Sequence, residues 1–453
     1  MQRKIPFAGL HNHSEFSNMR MKDAITKLDD LIQTSADLGY SGIVITEHDC
    51  LSGSIKALEK AREIHQQNPN FIVGLGNEIY LVDEQPVEEV HKFYHFLLIA
   101  RTAQGYEYLK ELSTRAWKRS EVVKGIRRVP TFYSDIEDVI KTQGDLIASS
   151  ACLGSRFSYL VNKYIETNDI EDKKNIISFV RWCQKIFGKD YFYIEIQSSI
   201  NAEQIIYNKK AMRIANAMGI KVVLTEDVHY LTQADSRIHR AFVNSARSNN
   251  NEDDNAKDFY EGCYLKTEEE LRERMSYLSD SEFAEVCQNT VNIINSLESY
   301  SLEKSAIVPL RKLPPFEVQH LFSKWYSECP TIAKFAYTDE EQDRFILSEI
   351  EKGFLFRKQE FNDVNVKRIE AELDVINHIS EELNQRLSAY YNLMQVIIDL
   401  MRTKGDSIVG IARGSATAFY ILYLMGITQI NPLTYNLPYF RHLNYARGSV
   451  LPD

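Results

Sequence analysis

Between residues 7 and 230, short apolar runs of β type alternate with segments of helical periodicity, and this alternation restricts the fold more than any other feature of the chain. Seven runs can be marked, at 7–11, 42–46, 71–75, 95–100, 145–149, 191–196 and 220–225. Between them, Ile25, Leu28, Leu31, Ile32 and Leu38 form a stripe that ends at Gly39, a suitable C-cap. Ser52 is placed to cap a second helix running to about His65. Seven β/α units predict a closed or nearly closed barrel, in which chemistry collects where strands meet loops because side chains converge there from separate strands.

The polar residues follow that rule. In Gly9-Leu10-His11-Asn12-His13, two imidazoles lie one residue apart, so in extended chain they share a face and can grip one cation. His48, Glu78, Cys152, Asp227 and His229 each lie just beyond a short apolar run, whereas His95 opens its run instead of closing it. Singly, each could merely pack or make a hydrogen bond, because core and solvated histidines outnumber metal ligands. As a set, imidazoles, carboxylates and one thiol suit Zn, Mn or Fe in a multinuclear site. Clustered divalent ions stabilise phosphoryl oxygens under attack by water, so phosphoester hydrolysis is the natural chemistry.

A length of 453 residues accommodates about two or three domains, and a net charge of -10 gives no global reason for nucleic-acid affinity. Any such affinity must come from a local patch. Lys110, Arg115, Lys118, Arg119, Lys124, Arg127 and Arg128, among only Glu111 and Glu121, are the best one. They would guide DNA by phosphate contact or serve as a solvated helix face. The 6 cysteines show no Cys-x-x-Cys pairing, which predicts a reduced, cytoplasmic chain, and the longest apolar run, 416–425, is too short to span a bilayer.

The motifs then become specific. His11-Asn12-His13-Ser14-Glu15-Phe16-Ser17, Ile45-Thr46-Glu47-His48, Gly76-Asn77-Glu78-Ile79-Tyr80, His95-Phe96-Leu97-Leu98, Ser149-Ser150-Ala151-Cys152-Leu153 and Asp227-Val228-His229-Tyr230 resemble the successive motifs of the PHP (polymerase and histidinol phosphatase) domain. More narrowly, they resemble the PHP domain at the N-terminus of the bacterial replicative DNA polymerase III alpha subunit. The resemblance implies an α/β fold, a distorted (β/α)7 barrel holding up to three metal ions. Its nine ligands would be His11, His13, Asp23, His48, Glu78, His95, Cys152, Asp227 and His229. Asp23 requires residues 18–22 to be read as a longer loop, and Glu47 stands where the family commonly has Asp. The implied activity is hydrolysis resembling a 3′ to 5′ exonuclease.

The pattern changes after His229. The polar, acidic stretch 248–255 reads as an exposed loop, helical periodicity resumes over 267–297, and Leu313-Pro314-Pro315-Phe316 marks a turn or crossover. The expected domains are therefore 1–280 and 281–453. Ile346, Ile350 and Phe354, then Ile369, Leu373 and Ile376, are helical core stripes, and the stretch from Ser407 to Ser415 reads as a short strand, a small-residue turn and then a helix beginning near Ser415. Backbone N–H groups there, with Arg413 and the Ser415 hydroxyl, would suit a phosphate.

Glu372-Leu373-Asp374-Val375-Ile376, Arg413-Gly414-Ser415, Gly426-Ile427-Thr428 with Asn431-Pro432-Leu433, and Arg441-His442-Leu443-Asn444 resemble, in order, the first part of the family C polymerase palm, a mainly helical α+β domain. The resemblance implies that Arg413, Gly414 and Ser415 contact the triphosphate of a dNTP, although Ile411 and Ala412 replace the family's Pro and Gly. It also places Asp453 as the first carboxylate of a Pro-Asp-x-Asp segment that would hold Mg. Polymerisation by this polypeptide alone is not expected, since the other carboxylates would come from a C-terminal half. A split gene, an intein or intron site, and a truncation all stay open. DNA, dNTP and, through the missing part, a sliding clamp and other replisome proteins are the implied partners; no membrane is. A free-standing phosphatase of small phosphomonoesters, and a metal-stabilised scaffold without catalysis, are the alternatives.

Overall fold

A computed structural model describes residues 4–20, 22–83, 93–123, 126–246, 260–304 and 306–447. The apolar stripe of the first helix does what its spacing predicts: Leu28–Asp37 is helical, with Leu28, Leu31 and Ile32 buried. It closes in a Schellman turn, in which Gly39 takes φ 76° and the N–H groups of Gly39 and Tyr40 reach back to the carbonyls of Ala36 and Ser35 at 3.0 and 3.1 Å. The next helix, Ser54–His65, has Gly53 at its N-cap. Ser52 does not cap it, because its hydroxyl lies 3.0 Å from Met19 Sδ.

Strand β1 (Gly42–Ile45) opens the sheet and β2 (Ile72–Val82) runs well past the predicted 71–75. Then come β3 (Tyr94–Ala100), a hairpin of β4 (Glu121–Val123) and β5 (Ile126–Arg128), β6 (Pro130–Phe132), β7 (Leu146–Ser149), β8 (Phe192–Gln197) and β9 (Val222–Thr225). The order of the 7-stranded sheet is β1-β2-β3-β7-β8-β9, with β6 added on β2. It is curled and mixed: β3 runs antiparallel to both β2 and β7, and the other pairs are parallel.

The 7–11 run forms no ladder, only single bridges, yet its neighbourhood ties the two edge strands together. Gly9 N–H donates to Gly42 O (3.1 Å) and Val44 N–H to Gly9 O (2.7 Å), while His13 N–H donates to Val228 O (2.9 Å) and Val228 N–H to His11 O (3.1 Å). The α/β architecture is as expected, with β3 reversed. The helix Asp280–Ser296 places Ile293 and Ile294 among Ala8, Val44 and Val223. Accordingly, the first compact unit is Met1–Leu302 and the second Glu303–Asp453, a division later than 280.

The second unit, by itself, is helical. Pro330–Tyr337, Glu341–Phe356, Asp363–Leu383 and Leu387–Thr403 surround a core in which Ile346, Ile350, Phe354, Ile369, Leu373 and Ile376 are all buried. The strand expected to begin the 407–415 stretch does not form. A strand is a pairing relationship, and no strand lies beside this segment among the described residues; Ile408 is fully exposed, and Ile411 O accepts one hydrogen bond from Gln429 N–H. The helix expected near Ser415 is a 3-10 turn, Gly414–Ala418, followed by the short helix Tyr420–Leu424. No helix among the described residues is long and apolar enough to cross a membrane. The acidic stretch 248–255 lies outside the described residues.

Glu372 fastens that short helix to the core. Its buried carboxylate accepts from the N–H groups of Tyr420 and Ile421, each at 2.8 Å, and from Arg368 Nε at 2.6 Å. Burial outweighs these partners and pushes its pKa from 4.5 up to about 7. Between those two values the native state holds a proton that the unfolded chain has lost, so stability falls as pH rises through the window and levels off above it. The slope is at most about 1.4 kcal/mol per pH unit. Thermal denaturation across this range checks it: Glu372→Gln is expected to make the slope shallower, and an unchanged slope would count against the assignment.

Candidate metal centre

The segment around residues 9–13 is extended, so its side chains alternate. Asn12 turns away and donates through Nδ2 to Val44 O at 2.9 Å, while His11 and His13 turn inward and are fully buried. Three loops that follow strands bend through left-handed residues other than glycine, Asp49 (φ 54°), Ala151 (φ 56°) and Asp227 (φ 52°), beside His48, at Cys152 and before His229. Strain of this kind gathers where side chains must be aimed. Glu78 sits within β2, opposite Leu97 of β3. His95 ceases to be an exception: because β3 is antiparallel to its neighbours, its first residues lie at the end of the sheet where the parallel strands finish. A Cβ on Gly154 would meet the His95 ring at 3.0 Å, so the small residue after Cys152 leaves room for the imidazole.

All nine residues expected as ligands meet. Glu78 is central, with Oε1 at 2.7 Å from His95 Nδ1 and 3.4 Å from His11 Nε2, and Oε2 at 2.6 Å from His48 Nδ1 and 3.5 Å from His13 Nε2. Asp227 Oδ1 lies 3.3 Å from Nε2 of both His11 and His13, and Asp23 Oδ2 lies 2.8 Å from His48 Nε2 and 3.6 Å from His229 Nε2. Cys152 Sγ is 3.2 Å from His95 Nδ1. Three-donor groups able to hold an ion are His13-His48-His229, His11-His13-Asp227, Glu78-His95-Cys152 and Asp227-His229-Cys263.

The donors fit cations for a further reason. His11 Nε2, His13 Nε2, Asp23 Oδ1, both ring nitrogens of His48, Glu78 Oε2 and Asp227 Oδ1 are buried without a hydrogen-bond partner. Several of them lie at ion-pair distance without hydrogen-bond geometry, Glu78 Oε2 with His48 Nδ1 and His13 Nε2 and Asp227 Oδ1 with Nε2 of His11 and His13, the convergence expected of groups that share cations. Against burial, the neighbouring carboxylates hold His11 and His229 above the ordinary imidazole range, and Glu78 with Asp23 raises His48 to about 9. Asp23 and Glu78 are correspondingly lowered by the imidazoles around them. His13 goes the other way: burial and then His48 and His229, whose rings lie 3.9 and 4.5 Å from it, hold it down.

Two carboxylates steady the histidines from behind. Glu195, a lone acid in the apolar strand β8, lies 2.7 Å from His11 Nδ1 and accepts from Ser149 Oγ (2.6 Å) and Thr225 Oγ1 (2.7 Å). Glu47 accepts from the Ser14 N–H at 3.0 Å and from the Ser14 and Ser17 hydroxyls; Ser17 Oγ in turn lies 3.1 Å from His13 Nδ1. The sequence reading passed over Glu195, Cys263 and Ser17. Glu195 had a signal, a charge inside an apolar run; Cys263 had none, since it comes from a distant segment whose carbonyl accepts the His229 N–H at 2.9 Å.

The basic patch separates. Arg115 pairs with Glu111 (2.8 Å) and Asp138 (2.6 Å), and Arg119 grips Asp135. Lys118 ends the helix Ala103–Lys118, and Lys124 lies outside the described residues. On β5, Arg127 reaches Ser120 Oγ (3.2 Å), whereas its neighbour Arg128 lines a cavity of about 340 Å³ together with His48, His95 and His229. In the second unit, Gly414 takes φ 60°, Arg413 is exposed, and Ser415 Oγ lies 3.3 Å from His442 Nδ1. Asp453 lies outside the described residues.

Comparison with known families agrees with this geometry. Residues 9–199 match the PHP domain, and residues 337–453 match the bacterial DNA polymerase III alpha NTPase domain. The chain joins a PHP domain to a DNA polymerase III alpha NTPase domain. Asp227 and His229 lie beyond the PHP match, and the geometry alone places them with the rest. The DNA-directed DNA polymerase of Bacillus phage SPbeta is 37% identical over 98% of this chain and 36% of its own length. DNA polymerase III subunit alpha is 26% identical in Campylobacter jejuni, over 99% of this chain and 35% of the relative, and 26% identical in Borreliella burgdorferi, over 100% and 35%. The chain thus spans about a third of the length of these relatives.

Replacing Glu195 by Ala removes the partner of His11 Nδ1. It is expected to weaken metal retention by about 10- to 100-fold against a competing chelator. Equal retention by the two proteins would show that His11 needs no such support.

Proposed function

We propose that the PHP unit is a metal-dependent phosphodiesterase acting as a 3′ to 5′ exonuclease on DNA, and that the second unit is the front of a polymerase palm. The observation that carries the first part is the set of buried, unpartnered donor atoms around Glu78 beside an open cavity. His11, His13, Asp23, His48, Glu78, His95, Cys152, Asp227 and His229 would hold up to three ions, and the mixture of imidazole, carboxylate and thiolate suits Zn, Mn or Fe. When bound, such ions polarise phosphoryl oxygens and neutralise the charge that develops on them. The chain's own part is orientation. Glu195 and the Glu47–Ser17 pair fix the two histidines of the first motif, and Glu78 presents its two oxygens to different histidines, so both would be available to bound ions.

Arg413, Gly414 and Ser415 would meet the triphosphate of a dNTP, with Asp453 contributing to the Mg site. DNA synthesis is proposed for this chain together with the C-terminal portion that its longer relatives carry, in the cytoplasm, with a sliding clamp and other replisome proteins as partners of that portion. Of the patch residues, Lys118 and Arg127 are further candidate DNA contacts, whereas Arg119 is tied to Asp135.

The test is metal analysis combined with hydrolysis of end-labelled single-stranded DNA. Loaded protein is expected to shorten DNA from its 3′ end, chelation to stop it, and His48→Ala to lose metal together with at least a 100-fold drop in rate, about 3 kcal/mol of barrier. Hydrolysis that survives both chelation and His48→Ala would exclude this centre as the catalyst.

A further inference from the structure

Strand alternation sends the two arginines of β5 in opposite directions, and only Arg128 reaches the cavity beside the metal centre. Its guanidinium lies over the Phe93 ring, 4.9 Å from the centroid, and Phe93 also lines the cavity. The other guanidinium there, Arg20, is already committed: Nε lies 3.3 Å from Asp49 Oδ2, Nη2 donates to the Tyr80 hydroxyl, and the group lies 3.8 Å from the Tyr80 ring centroid. Arg128 has no carboxylate within ion-pair distance among the described residues. Burial and then the charge of Arg20 act against its own charge. A cation so placed, held by a ring at the mouth of a cavity and facing a like charge, is balanced by an anion that enters the cavity.

We infer that Arg128 is the substrate-positioning residue of the PHP centre, gripping phosphate oxygens of the DNA strand end while Phe93 holds the guanidinium in place. This rests on the phosphodiesterase reading given above and names the contact that selects its anionic substrate. Neither residue is a candidate metal ligand, so their roles separate from metal binding.

The experiment uses the full chain loaded with Mn, measuring metal content, hydrolysis of single-stranded DNA, and equilibrium binding of inorganic phosphate. Arg128→Gln is expected to raise KM and weaken phosphate binding by about tenfold or more, with unchanged metal content and kcat within about threefold. Arg128→Lys, which keeps charge but loses the planar fork, is expected to recover part of the affinity. Phe93→Ala should move KM in the same direction by less. Unchanged KM and phosphate affinity in Arg128→Gln, or a loss of metal that accounts for the whole effect, would overturn the assignment. Should the loaded wild-type chain hydrolyse nothing, the phosphodiesterase reading fails, while phosphate binding still decides whether Arg128 holds the anion.

Discussion

The burial of Glu78 among imidazoles is the constraint on which the first unit depends. A carboxylate with no exposed surface must be compensated, by protons shared with its neighbours or by cations. Neither solution works unless donors arrive from all around it. That requirement explains a curled sheet whose edges are tied by residues 9–13, because this segment carries His11 and His13 into the ring while hydrogen-bonding to β1 on one side and to Val228 on the other. Loosening either edge would withdraw two donors at once.

Much of this was legible in the sequence because each motif carries its own periodicity. Alternation alone puts His11 and His13 on one face, and apolar runs mark six of the nine strands among the described residues, while β4, β5 and β6 carry no such run and 7–11 pairs only through single bridges. His95 looked misplaced because a run of apolar residues has no direction; only the antiparallel pairing of β3 brings its first residues to the working end of the sheet. The length of β2 was hidden for a related reason. Asn77 and Glu78 interrupt its apolar run, yet both lie within a continuous strand.

What stayed illegible depends on long-range partners. Cys263 reaches His229 from a separate segment, and no local pattern announces it. The basic patch looked uniform as a string of charges. In three dimensions Arg115 and Arg119 are neutralised by acids beyond the stretch, Asp138 and Asp135, and among the described patch residues only Arg128 turns to the cavity. The start of the 407–415 stretch shows the opposite failure: β propensity without a neighbouring strand leaves an apolar segment exposed.

Two buried glutamates show how a site differs from a scaffold built of the same residue type. Both oxygens of Glu372 accept hydrogen bonds, from backbone N–H groups and an arginine, so its role ends with the helix it fastens. Glu78 is equally buried, yet its Oε2 has no hydrogen-bond donor, and the groups nearest it are imidazoles that also lack partners. Burial alone would rank the two alike. The direction of their unused lone pairs separates them, and it is this difference, more than the presence of histidines, that marks Glu78 as part of a candidate binding centre and leaves Glu372 a structural residue.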